Sequence, residues 1–200
     1  MKIRTSITHP LRIDFTNSGS AGYIGITLCP GKQQKSPMSG DDWGRDLDID
    51  LLAIKNCETP NSRPISTIVT LIEDGRYNEN EFENLRVENL GLKVEEYGFK
   101  WIWIPYPDGC LPTTEFIDEW SKKKGRLLDS LAAGENVLFH CKGGLGRACV
   151  VSAMLLYETG FTIQEAIEKL RDTRGVGAIG RHIAKGADIS QGGWLWEVYR

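Results

Sequence analysis

Histidine is scarce in this 200-residue chain: His9, His140 and His182 are the only three, and they are far apart. That argues against a histidine-built metal centre. The cysteines, at positions 29, 57, 110, 141 and 149, are odd in number and contain no C-x-x-C pair. They therefore fit neither the usual zinc spacings nor a disulfide framework. No apolar run approaches the roughly 20 residues of a membrane span. The opening MKIRTSITHPLRIDF also lacks the apolar stretch of a cleaved leader. A reducing cytoplasm is the expected setting, with no metal and no cofactor. Internal repeats and low-complexity tracts are missing. A net charge of -3 gives no general attraction to nucleic acid or to a membrane surface. Any anion site must be local.

What is present alternates between strand and helix patterns. After an irregular opening, YIGITLC at 23–29 reads as a strand stopped by Pro30 and Gly31. Residues 32–42 read as a polar loop, with Asp42 capping a helix that runs to about Lys55. ISTIVTLI at 65–72 is β-branched and continuous enough for a strand covered on both faces. Phe82, Leu85 and Leu90 give a helical turn or two, and KWIWI at 100–104 a second buried strand. A helix starts at Thr113 or Thr114 and carries Phe116, Ile117, Trp120, Leu127 and Leu131 at helical spacing. NVLF at 136–139 is a short strand, residues 148–159 an apolar helix, and Thr162–Glu165 a capping box opening another. The expected fold is α/β, a mostly parallel central sheet with helices on both faces, as one domain over residues 1–200. Ligands in such sheets bind where the C-terminal ends of the strands open into loops.

One of those loops is HCKGGLGR, residues 140–147. Cys141 ends a strand, and Gly143, Gly144 and Gly146 let successive backbone amides turn toward an anion. Lys142, Gly143, Gly144, Leu145, Gly146 and Arg147 are the expected phosphate-binding loop. The following helix aims its N-terminus at the same spot. Arg147 can return over the loop and grip two phosphate oxygens through its planar fork, which a lysine cannot do. Cysteines so placed titrate at roughly 3.5–7.5 instead of about 8.5, so the attacking group is a thiolate. Attack gives a phosphocysteine that water then cleaves. Cys57–Arg63 repeats the spacing without the glycines or a preceding strand, and reads as chance.

A departing alkoxide or phenoxide needs a proton. Asp108, in IPYPDG at 104–109, leaves the C-terminal end of a strand at the same edge as Cys141. Pro-Asp-Gly is also a common turn. Beside the cysteine loop, Asp108 is the candidate general acid.

HCKGGLGR, PYPDG at 105–109, IVTLIED at 68–74, GRDLDIDLLAI at 44–54 and AIEKLRDTRGVGAI at 166–179 together resemble the protein tyrosine phosphatase superfamily. The resemblance is closest to the dual-specificity-like branch of the cyclin-dependent kinase inhibitor 3 (kinase-associated) phosphatases, and covers most of residues 22–179. It implies a metal-free phosphatase with Cys141 as nucleophile, Arg147 as clamp and Asp108 as acid. Its expected substrates are phosphotyrosine or phosphoserine/threonine in proteins, and the expected state is a monomer. Two features depart from the pattern. Ala148 stands where a hydroxyl usually helps expel the thiolate, which implies a slower second step or a substitute such as Ser152. Residues 180–200 form a divergent tail, unlike the glutamine-containing ending of that branch. A phosphate-binding pseudophosphatase, a phosphoinositide phosphatase favoured by Lys142, and rhodanese-type sulfur transfer are the alternatives. His140 reads as a loop-ordering residue, Cys110 and Cys149 as packing residues or oxidation partners of Cys141. Trp194, Trp196 and Tyr199 read as the packed face of a last helix.

Overall fold

The structure, a computed structural model, describes residues 2–35, 40–77, 79–175, 177–179 and 187–199. In chain order the elements are β1 (Ile3–Arg4), β2 (Asp14–Asn17), β3 (Tyr23–Leu28), β4 (Gln33–Gln34), β5 (Asp42–Gly44), α1 (Leu47–Lys55), β6 (Ile65–Thr70), α2 (Glu81–Asn84), α3 (Leu90–Glu96), β7 (Lys100–Trp103), α4 (Thr114–Ala132), β8 (Asn136–Cys141), α5 (Arg147–Glu158), α6 (Ile163–Arg174) and α7 (Gln191–Val198). Five strands form the central sheet in the order β2-β3-β8-β6-β7, parallel except for β2. Among the described residues no helix is long and apolar enough to cross a membrane.

Period-two alternation divides the core between the two faces. Ile24, Ile26, Val69, Leu71, Val137 and Phe139 point toward α4, α5, α6 and α7. Ile65, Ile68, Ile72 and Leu138 point toward α1 and α3. The apolar α5 is buried along most of its length because it lies between the sheet and the other helices of its face.

Five local expectations are corrected. Asp42 enters β5, and the cap of α1 is Asp46, whose carboxylate accepts from the Ile49 amide at 2.9 Å. The polar stretch contains β4, which with β1 and β5 makes a small second sheet; residues 36–39 lie outside the described residues. β7 is not fully covered but an edge strand, with Trp101 and Trp103 half-buried and stacked. The irregular opening supplies β2, which pairs antiparallel with β3. On α7, Leu195 is buried and Trp194 and Tyr199 pack on the core, but Trp196 is 41% exposed.

Candidate active site

Three chain segments meet at the C-terminal edge of the sheet. β8 ends at Cys141, in register with Leu28 of β3. The peptide 142–146 then wraps back to the first turn of α5, which begins at Arg147. The Gly144 amide donates to the Cys141 sulfur at 3.2 Å, so the loop sets a partial positive charge on the expected nucleophile. Gly144 has φ +72°, and a Cβ there would lie 2.4 Å from the Thr27 carbonyl oxygen. Nothing lies within 4 Å of a Cβ built on Gly143. The glycines that look alike in the sequence thus meet different requirements.

Arg147 is only 1% exposed. Its Nη1 and Nη2 bind the two carboxylate oxygens of Glu81 at 2.6 and 2.8 Å, in a planar fork-to-fork pair. Nη1 also donates to the Tyr106 carbonyl at 2.8 Å, and Nη2 stands 3.0 Å from Asp108 Oδ1. Nε has no partner among the described residues. Burial alone would weaken protonation of this guanidinium. The Glu81 hydrogen bonds and the charges of Cys141, Glu81 and Asp108 outweigh it and raise its pKa above the ordinary arginine value.

Asp108 reaches this point because pairing continues beyond β7. The amides of Ile104 and Tyr106 donate to Thr70 and Leu71, carrying the 104–109 turn alongside the end of β6. The structure thus brings Cys141, Arg147 and Asp108 together. Cys57 and Arg63 lie in the loop leading into the start of β6, at the opposite edge, where Arg63 Nη1 binds the Ala133 carbonyl.

His140 faces the other side of the sheet. Its Nε2 lies 2.7 Å from Thr70 Oγ1, which also accepts from the Trp101 indole at 2.9 Å. Burial depresses its pKa to about 3, so the ring is neutral. Ser152 is buried, and its hydroxyl has no hydrogen-bond partner among the described residues, Cys141 included. Cys149 donates weakly to the Gly144 carbonyl, 3.7 Å away.

Sequence reading missed four contributors. Glu81 opens the helical turn that Phe82 and Leu85 mark in the sequence, and its capping residue Asn80 starts the turn that aims it. Lys32 follows the C-terminal end of β3, an edge already singled out for chemistry, and its Nζ binds the Lys142 carbonyl at 3.2 Å. Arg174 donates from Nε to the Gly144 carbonyl at 3.1 Å and pairs with Asp14. The tail supplies a glutamine after all: Gln191 donates to the Cys110 carbonyl at 2.9 Å, beside Asp108, and its Oε1 lies 3.2 Å from a Cβ built on Gly146. Residues 180–186 lie outside the described residues. Among the described residues no group of three His, Cys, Asp or Glu side chains is placed to share a metal ion.

Known proteins share this arrangement of chain. Cyclin-dependent kinase inhibitor 3 of Sus scrofa is 32% identical over 159 residues, 78% of this chain and 66% of that protein. Protein tyrosine phosphatase type IVA 3 of Homo sapiens is 30% identical over 119 residues, 54% of this chain and 64% of that protein. The chain therefore spans less than two thirds of either relative. Among solved structures, kinase associated phosphatase with its catalytic-site cysteine replaced by serine superposes with a TM-score of 0.74 at 27% identity, covering 94% of this chain and 93% of that one. A family model described as "Polymorphic toxin system, DSP-PTPase phosphatase" matches residues 55–161. That match runs from the end of α1 through the cysteine loop and α5, more than half of the sequence, and the chain belongs to the DSP-PTPase family of dual-specificity and tyrosine phosphatases.

Proposed function

We propose that this chain is a cysteine-dependent phosphatase that hydrolyses phosphate monoesters, phosphotyrosine or phosphoserine/threonine of proteins, through a phosphocysteine. The observation that carries the reading is the buried Arg147 guanidinium, its Nε unpartnered among the described residues, beside a loop whose amide already donates to Cys141. A phosphate dianion satisfies that nitrogen and the amides of residues 142–146 together.

In this reading the Cys141 sulfur attacks phosphorus and the bond to the leaving oxygen breaks. Asp108, 47% exposed at the mouth of the site, gives that oxygen its proton. Water then attacks phosphorus, Asp108 takes the water's proton, and the S–P bond breaks to return the thiolate and release phosphate. Glu81 holds the arginine in plane throughout. Five free cysteines suit a cytoplasmic, reducing setting. The working unit in this reading is a monomer acting on phosphoproteins, with no nucleic-acid partner.

The test is hydrolysis of a small aryl phosphate without added metal, by the wild type and by Cys141→Ser. Turnover that vanadate blocks and the serine variant lacks is the expected result. Folded, reduced wild type with no turnover would overturn the reading.

A further inference from the structure

Lys32 is the least expected feature near this site. The chain leaves β3 through Cys29-Pro30-Gly31, and the turn is fastened from below. The Gly31 amide donates to Asp50 Oδ2 at 2.9 Å, and the Lys32 carbonyl accepts from the Arg45 amide at 3.1 Å. Arg45 and Asp50 are themselves a buried ion pair, with Nε and Nη2 on the two oxygens at 2.7 and 2.8 Å. On that rigid base Lys32 is 5% exposed, although lysine is among the residues that almost never bury without an ion-pair partner. No carboxylate lies within ion-pair distance of it among the described residues. Its Nζ lies 4.3 Å from the centre of the Trp43 ring and donates to the Lys142 carbonyl.

That carbonyl belongs to the peptide joining Lys142 to Gly143. In a trans peptide the C=O and N–H point in opposite directions. An ammonium that holds the carbonyl outward therefore turns the Gly143 amide inward, toward the anion above Cys141. It also polarises the amide and makes it a stronger donor. Arg174 does the same two peptides later, gripping the Gly144 carbonyl so that the Leu145 amide faces in.

We propose that Lys32 is a positioning residue for the phosphate loop: its buried ammonium fixes the Lys142–Gly143 peptide and supplies positive charge behind Cys141. The inference rests on the phosphatase reading of the same site. It also accounts for a buried cation lacking a carboxylate, since the groups that balance it are the thiolate and the substrate dianion. The charged and titratable groups facing Lys32 are Cys29, Cys141, Lys142 and Arg45. Burial, which dominates, lowers the Lys32 pKa to about 8. Cys29 is held far above the ordinary thiol value by its own burial, so it stays neutral beside the ammonium.

The experiment measures kcat and KM for an aryl phosphate from about pH 5 to pH 9.5, with inhibition by inorganic phosphate, for wild type, Lys32→Met and Lys32→Arg. Wild-type kcat/KM should fall on an alkaline limb centred near 8. In Lys32→Met it should be at least about tenfold lower at pH 6.5, with phosphate inhibition weakened to match and the limb near 8 gone. In Lys32→Arg, which keeps its charge, the limb should move above about pH 9. Wild-type kcat/KM and phosphate affinity in Lys32→Met, or one unchanged limb in all three proteins, would overturn the proposal. If Lys32→Met does not fold by near-ultraviolet circular dichroism, the limb of Lys32→Arg decides alone. If the wild type turns nothing over, the phosphatase reading fails separately. Lys32 is then judged on inorganic phosphate binding by calorimetry: a loss of about tenfold in Lys32→Met supports it, and unchanged binding overturns it.

Discussion

Glu81 takes both terminal nitrogens of Arg147, at 2.6 and 2.8 Å, and leaves Nε without a partner among the described residues. The pair is buried on both sides, with side-chain exposures of 1% and 2%. Removing one member leaves the other charge uncompensated, at about 3–5 kcal/mol. Glu81→Ala should therefore lower the unfolding free energy by that amount and reduce kcat/KM for an aryl phosphate. Glu81→Gln, which keeps one hydrogen bond, should lie between it and the wild type. Denaturant titration and steady-state kinetics on the same preparations check both.

Asp108 meets the same arginine, but half-exposed, where an ion pair contributes about 0–1 kcal/mol. Asp108→Asn should thus leave stability nearly unchanged while lowering kcat/KM, which reports the first step, by roughly 10²–10⁴. The loss should be largest for alkyl phosphates and smallest for aryl phosphates with acidic leaving groups, which need little protonation. A leaving-group series measured for both proteins checks it, and an equal loss across the series would remove Asp108 from the acid role.

His140 is neutral in the folded protein, with a pKa near 3, but titrates at about 6.5 when unfolded. Between those values the unfolded chain binds the additional proton, so this contribution is complete above about pH 6.5 and declines as pH falls toward 3. The slope from this one group is about 1.4 kcal/mol per pH unit at most. Glu73 acts in the opposite sense: burial, then the Glu81 charge, raises its pKa, so it favours the folded state as it becomes protonated. Unfolding free energies of wild type and His140→Asn at about pH 7, 6, 5 and 4 should show a shallower acid decline in the variant.

Gly144 and Gly143 should respond differently to alanine. At Gly144 the added methyl meets the Thr27 carbonyl in a conformation with φ +72°, and neither backbone can yield cheaply. Gly144→Ala should cost about 1–3 kcal/mol and pull the amide off Cys141. Its kcat/KM should fall at least about tenfold further than that of Gly143→Ala. Melting temperatures and kinetics of the two variants check the order.

Ala148 is buried in the first turn of α5, and the Ser152 hydroxyl has no partner among the described residues, the Cys141 sulfur included. With no hydroxyl assisting release of the thiolate, the second step should limit turnover, and rapid mixing should show a burst of the first product. Ala148→Ser should shrink the burst and raise the steady-state rate by roughly tenfold. A wild type without a burst would place the slow step earlier.

The alternation of strand and helix, the β-branched β6, the capping box of α6 and the cysteine loop itself were all legible in the sequence. Each is a local signal: hydrophobic period, capping side chain or glycine spacing acts over a few residues, so adjacent letters suffice to read it. That Cys141, Arg147 and Asp108 would meet at one edge was legible too, because a parallel sheet sends its strand ends there. What the sequence left undetermined were relationships between distant segments. Glu81 is 66 residues from Arg147, and Lys32 is 110 residues from the carbonyl it holds. Gln191, in an unfamiliar tail, reaches the turn after Asp108. The strand KWIWI reads as buried because its composition is apolar, yet its position at the sheet edge leaves one side open. Burial, ion pairing and the direction of a peptide plane depend on which chains lie alongside, and only the tertiary structure decides that.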